Sequence, residues 1–339
     1  MKTYLDNRRV FLQRSAALAI GAFARPLPLF AQVQTAGTPL RILCTAPPGS
    51  IPDTIARRVA EHLAGAYPQG VIVENKPGAA GQIAVAALKA SPADGATILL
   101  AQGALASVYP TLYAKLAYDP VADLQPASLA AEMNLALAVG PAVPGNVGTI
   151  ADLLAWMRAN PKQANVGSPG VGTLPHLLEA MLFRESNVAW QHVGYAGGPP
   201  AITDLLGGSL PILVLPEGIL RPHYAAGKLR ILATSGAQRS TYFPQVPTLV
   251  EQGFRELVVR EWFAFFLPDK VPAAVIESTS QRLRAALARP ELVSAFALPA
   301  PTQALAWTEI MHALDVFSTP NGWEGPKQLL LCSARRKKE

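Results

Sequence analysis

Ser168 follows Gly167 and stands two residues before Gly170, which approaches the setting of a nucleophilic serine. Val166 breaks the Gly-x-Ser-x-Gly elbow, so the sharp strand-to-helix turn that exposes such a serine is not encoded. Gly170-x-Gly172 opens like a dinucleotide fingerprint, but Pro175 stands where the third glycine is needed. No Walker loop is present. The five histidines, at 62, 176, 192, 223 and 312, form no i,i+4 pair and have no cysteine at ligand spacing. A histidine inside a strand, such as His192, reads as structural. The carboxylates are scattered, with no pair placed for acid–base work. These patterns point away from catalysis, and no catalytic residue, metal or cofactor is expected.

A different device recurs. A strand, a loop rich in Gly, Pro and Ser, and a helix N-terminus follow one another at 47–53, 77–81, 168–173 and 195–200. Such loops present free backbone N–H groups, and the helix dipole adds partial positive charge. Together they suit a carboxylate or a phosphate. None of these loops is distinctive alone. In open α/β sheets, however, ligands sit at the carboxyl ends of strands, where these loops lie.

The elements that must position them are read from periodicity. Residues 40–46 form a strand, and Asp53 N-caps a helix over 54–64 whose apolar positions are Ile55, Val59 and Leu63. Strands follow at 71–74 and 97–101, with a helix over 81–88 between them. Downstream, helices are predicted over 150–159, 174–183 and 273–288, with another starting at Pro199-Pro200. Further strands are predicted at 165–167, 190–193, 210–215 and 229–234. The β-loop-α repetition argues for an α/β protein with a parallel sheet.

With 339 residues, half of them hydrophobic, the chain has material for two domains. Beyond the N-terminus no stretch approaches the roughly 18 uncharged apolar residues of a spanning helix. The net charge of +6 belongs to the ends. Without residues 1–31 the chain holds 24 basic and 22 acidic residues, and without 325–339 as well, 19 and 21. No basic face is implied, so no nucleic-acid partner is expected. Cys44 and Cys332 are too few for a disulfide framework. They can pair in an oxidising compartment, although Cys44 reads as a small buried strand residue and Cys332 as a tail thiol.

Residues 1–31 read as an address. Asn7-Arg8-Arg9-Val10-Phe11-Leu12 precedes an apolar run over 15–24, then Pro26, Pro28 and the small Ala31. This is the order of a signal peptide, and the paired arginines mark the twin-arginine variety. Cleavage is expected after Ala31, and the absence of a following cysteine argues against a lipid anchor.

Several segments together resemble one family. They are Pro47-Pro48-Gly49-Ser50 with Asp53, Val73-Glu74-Asn75-Lys76-Pro77-Gly78-Ala79-Ala80-Gly81, Leu116-Ala117-Tyr118-Asp119-Pro120, Gly170-Val171-Gly172-Thr173 with His176, and Tyr195-Ala196-Gly197. Asp204-Leu205-Leu206-Gly207-Gly208, Ala226-Gly227-Lys228-Leu229-Arg230 and Pro247-Thr248 continue the series. From about residue 40 to about 315 the chain resembles the Bug-type receptors, periplasmic solute-binding proteins of tripartite tricarboxylate transporters. The resemblance implies a two-lobed periplasmic binding protein fold, type II-like, each lobe a mainly parallel sheet flanked by helices. Lobe one is expected over 32–139 plus 257–339 and lobe two over 140–256, with hinges near 138–141 and 255–258. The implied function is capture of a small organic carboxylate for membrane transporter subunits or, alternatively, for a sensor protein. A monomer in the periplasm is expected, and a secreted hydrolase is the weaker rival.

By the same resemblance, Gly49, Ser50 and Asp53 from lobe one, and Ser168, Gly172, Thr173, His176, Tyr195 and Gly197 from lobe two, face the ligand or support its loops. Ser50, Gly103-Ala104-Leu105, Ala196 and Leu215 depart from the family's usual residues, which are a second glycine, Ser/Thr, Lys and a nearby Asp. These departures leave the loops less polar, and a monocarboxylate with an apolar or aromatic body is expected.

Overall fold

The computed structural model describes residues 37–292 and the short antiparallel pair Ser318–Thr319 and Gly322–Trp323. The leader at 1–31, Cys332 and the basic tail lie outside the described residues.

The first lobe begins with β1 (Leu40–Cys44), α1 (Ile51–Leu63), β2 (Val71–Asn75), α2 (Gln82–Lys89) and β3 (Thr97–Gln102). β1 lies between β2 and β3 and is parallel to both. This is the expected β-loop-α arrangement. α1 starts earlier than its periodicity suggested. Ser50, not Asp53, is the N-cap: its backbone is extended and its hydroxyl accepts the Asp53 N–H. Pro52 fits the first turn because it has no N–H to leave unpaired. Ile55, Val59 and Leu63 are buried against the sheet as predicted. Burial of each such side chain contributes about 1.5–3 kcal/mol.

Two long strands then alter the expected parallel pattern. β4 (Leu124–Val139) runs for 16 residues. After α3 (Ile150–Ala159), the second lobe adds β5 (Asn165–Ser168), α4 (Leu174–Glu185), β6 (Gln191–Gly194) and α5 (Gly198–Leu206). β7 (Ile212–Pro216), α6 (Glu217–Ala225) and β8 (Arg230–Thr234) complete it. The chain returns through β9 (Arg260–Pro268), and α7 (Ala273–Leu287) packs beneath the first sheet.

β4 and β9 are antiparallel to their neighbours and to each other. Residues 124–134 of β4 pair with β9 in the first sheet, whereas Leu135–Val139 pair with β7 and β8 in the second. β7, β5 and β6 then continue the second sheet in parallel. One strand thus serves both lobes. Its sequence hides this role. β4 is rich in alanine and buried along most of its length, so it lacks the alternation that marks a half-exposed strand. One apolar cluster runs through both lobes, joining Leu43, Leu99 and Tyr109 to Val166, Leu178 and Phe183, and two others belong to one lobe each: Ile42, Ile55, Val59 and Phe265 in the first, and Ile202, Leu213, Leu215 and Phe243 in the second.

Cys44 is fully buried in β1, as its reading as a strand residue required. Among the described residues no helix is long and apolar enough to cross a membrane.

Candidate functional site

Between the lobes lies a cavity of about 300 Å³. Three helix N-termini border it: α1 through Ser50, Ile51 and Pro52, α4 through Thr173 and Pro175, and α5 through Gly197 and Gly198. The strand-loop-helix repetition of the sequence produces this convergence, which concentrates partial positive charge on one cavity.

The first loop is clamped from behind. The Ser50 hydroxyl donates to the Pro47 carbonyl at 2.6 Å while capping α1. Asp53 accepts from the Gly49 N–H at 2.9 Å, from Asn75 Nδ2 at 2.8 Å and from the Arg57 guanidinium. Burial opposes ionisation of Asp53, but the hydrogen bonds from Arg57, Gly49 and Asn75 outweigh it and hold the carboxyl below its usual range.

The second loop is strained. Ala79 and Ala80 have φ of 47° and 51°, the left-handed region that costs an L-residue roughly 1–2 kcal/mol. This geometry is fastened through the Ala80 carbonyl, which accepts from Gln102 Nε2 at 2.8 Å and from the Tyr109 hydroxyl at 3.0 Å. Thr45 Oγ1 in turn donates to Gln102 Oε1 at 2.7 Å. Thr45, Gln102 and Ala80 all line the cavity.

In the second lobe, Thr173 Oγ1 donates to the Gly170 carbonyl at 2.8 Å and His176 Nδ1 accepts the Gly172 N–H at 3.1 Å. Ser168 Oγ and His192 Nε2 share a hydrogen bond at 2.8 Å. Sequence spacing did not reveal this pair, because strand pairing brings together residues 24 positions apart. It resembles a nucleophile and its base, but Ser168 is fully buried and does not line the cavity. Glu179 Oε2 approaches the same Nε2, at 3.9 Å, rather than orienting the other ring nitrogen as a triad acid does. Burial, then the nearby His176 ring, lowers the His192 pKa to about 4. Burial drives the Glu179 carboxyl well above its ordinary range. Tyr195 donates to Asp204 Oδ2 at 2.8 Å, which fixes its ring at the cavity wall.

The lobes touch around this space. The Tyr113 hydroxyl donates to the Val171 carbonyl at 3.2 Å. At Gly197 an added Cβ would lie 2.7 Å from Pro47 Cδ, so only glycine permits that approach.

Of the residues expected at the ligand, Ser50, Thr173, Tyr195 and Gly197 line the cavity. Asp53, Ser168, Gly172 and His176 stand behind the lining, in the contacts described above, and Gly49 borders a neighbouring depression. Ala196 and Leu215 line the cavity, whereas Gly103, Ala104 and Leu105 do not. Gly103 is packed against the Trp262 ring, and Ala104 and Leu105 are core residues. Sequence reasoning missed Thr45, Gln102, Ile219, Glu261 and Phe263. The signal for Glu261 was a lone acid at the head of an otherwise apolar stretch, Trp262 to Leu267.

Charge is sparse here. Among the described residues no Lys or Arg lines the cavity, and Glu261 is the one lining carboxyl. No group of three or more His, Cys, Asp or Glu among the described residues is gathered to hold a metal.

Residues 55–298 match the tripartite tricarboxylate transporter family receptor. Protein BugT of Bordetella pertussis is 32% identical over 269 residues, covering 79% of this chain and 82% of its own. A Rhodopseudomonas palustris protein solved with adipate superposes with a TM-score of 0.78 at 22% identity, covering 88% of this chain and 98% of that one. MatC from the same organism, solved with bound malate, gives 0.76 at 20% identity with the same coverage.

Proposed function

Because the chain belongs to the tripartite tricarboxylate transporter receptor family, we propose that it is a periplasmic receptor that captures a small organic monocarboxylate between its lobes and delivers it to membrane transporter subunits. The observation that carries this reading is the convergence of three helix N-termini on a cavity that no basic side chain among the described residues lines. Backbone N–H groups and hydroxyls there can hold one carboxylate without a formal counter-charge.

The ligands solved with the structural neighbours, malate and adipate, are carboxylates and support that class. Both carry two carboxyl groups. In this chain a second carboxylate would meet Leu215, Ala196, Ile219 and Phe263, and burying it unpaired would cost several kcal/mol. One carboxylate on an apolar body fits better.

Gly49, Ser50, Asp53, Ser168, Gly172, Thr173, His176, Tyr195 and Gly197 are assigned to the site on this reading. Ser50, Thr173, Tyr195 and Gly197 act at the ligand, and the others hold the loops. The Ser168–His192 pair serves as such a support, and the protein binds rather than turns over its ligand. The lobes move about the crossings of β4 and β9, and the protein works as a monomer after export through its paired arginines.

A thermal-shift panel of organic acids on the mature protein tests the reading. A ligand at 100 times its dissociation constant adds roughly 2.7 kcal/mol of stability. Benzoate is expected to bind more tightly than terephthalate in calorimetry. Tighter binding of the dicarboxylate would sink the monocarboxylate reading, and silence across the panel would sink the cleft as a carboxylate site.

A further inference from the structure

Glu261 is the one feature of the cavity that a simple monocarboxylate leaves unused. It lies on β9, two residues before Phe263, so both side chains leave the same face of the strand, and both line the cavity. Its residue is 2% exposed. The backbone amides of Trp262 and Gly103 lie near its carboxyl and favour its ionised form, but the Gly103 N–H donates to the Trp262 carbonyl at 2.7 Å and Oε1 is buried without any partner. A buried, half-satisfied carboxyl is costly unless something completes it. The charged groups around it do not. Glu132 of β4 and Arg260 of β9 pair with each other at 2.9 Å, and in the strand register Glu132 stands opposite Trp262 while Met133 stands opposite Glu261. Tyr109, whose field couples to Glu261, gives its hydroxyl proton to the Ala80 carbonyl. Glu217 is a further acid, bonded to the Asn134 N–H. Among the described residues no cation reaches Oε1.

The cavity is therefore dipolar. Helix N-termini and free amides make one wall favourable to negative charge, and Glu261 makes another favourable to positive charge. We infer that the ligand carries a protonated amine remote from its carboxylate, and that Glu261 is the residue that selects it by pairing with that ammonium. The inference rests on the carboxylate reading of the cleft.

The pairing has a proton signature. Burial pushes the Glu261 carboxyl up to about 8. At pH 7 it is largely protonated, and an arriving ammonium stabilises the ionised form. The carboxyl then gives its proton to solvent, while the ligand amine keeps its own. The amine's advantage grows as pH rises towards 8 and levels above it, since Glu261 is then already ionised.

Calorimetric titration of the mature protein with β-alanine, 4-aminobutanoate and 6-aminohexanoate, each against the unsubstituted alkanoate of equal length, tests this. At the length that spans the cavity, the amino form is expected to bind at least about tenfold more tightly. Glu261→Gln should bring that ratio close to one. Titration of the wild type in two buffers of different ionisation enthalpy should reveal proton release at pH 7 for the amino ligand only. If alkanoates bind and the amine adds nothing, or if Glu261→Gln leaves the ratio unchanged, the inference fails and the carboxylate cleft stands. If neither series binds, nor any carboxylate of the wider panel, the cleft reading fails and this inference with it.

Discussion

The Tyr113 hydroxyl of the first lobe donates to the Val171 carbonyl of the second at 3.2 Å, a hydrogen bond that joins the two sides of the cleft. An exposed bond of this kind contributes about 0.5–1.5 kcal/mol. Tyr113→Phe keeps the ring stacked edge-on against Tyr109 and removes only the bond. The variant is expected to have a larger radius of gyration in ligand-free scattering and a roughly two- to tenfold weaker affinity for the best carboxylate found, the fold-change equivalent of that energy. Identical scattering and affinity would show that the bond does not hold the cleft.

Gly197 offers a steric counterpart. It has φ of +110°, and a Cβ there would press on Pro47 Cδ at 2.7 Å. Gly197→Ala therefore meets both backbone strain and a clash between lobes. A loss of about 1–3 kcal/mol in thermal or urea unfolding is expected, with weaker ligand binding. A variant as stable and as tight-binding as the wild type would mean that the lobes do not need this approach.

The half-buried His192, with the His176 ring 4.1 Å away, makes stability depend on pH. The folded pKa of His192, about 4, lies below its ordinary value of 6.5. Stability tied to its neutral ring is thus present above pH 6.5 and lost as pH falls towards 4. Glu179 has the opposite sense: its folded pKa is raised, so its share is present below the ordinary carboxylate range and lost as pH rises. His192→Gln should flatten the decline in melting temperature between pH 6.5 and 4 while leaving the contribution of Glu179 in place. An unchanged acid slope would assign the decline to other groups.

Export is expected to require Arg8 and Arg9. Replacing both with Lys should leave the precursor in the cytoplasm, as fractionation and immunoblotting would record. Undiminished mature protein in the periplasm would rule out the twin-arginine route.

Much of the supporting frame was legible because local chemistry and final geometry agree. Ile55, Val59 and Leu63 fall on one helix face, and that face is buried. Asn160-Pro161 ends α3 where expected, and Pro199-Pro200 sits in the first turn of α5. The cavity was only half legible. Ser50, Thr173, Tyr195 and Gly197 stand in recognisable loops, whereas Gln102, Glu261 and Phe263 reach the cavity through strand pairing between distant segments. Register of that kind has no local signature. Ser50 also displaced Asp53 as the N-cap, since either residue type can fill that role and Pro52 decides where the turn begins.

The double membership of β4 has a mechanical consequence. Leu124 to Asn134 are woven into one sheet and Leu135 to Val139 into the other, with no slack chain between them. Neither lobe can melt without stripping hydrogen bonds from a strand that the other also needs. The molecule should therefore lose its structure in one concerted transition, and a destabilising change deep in either lobe should lower the melting point of the whole.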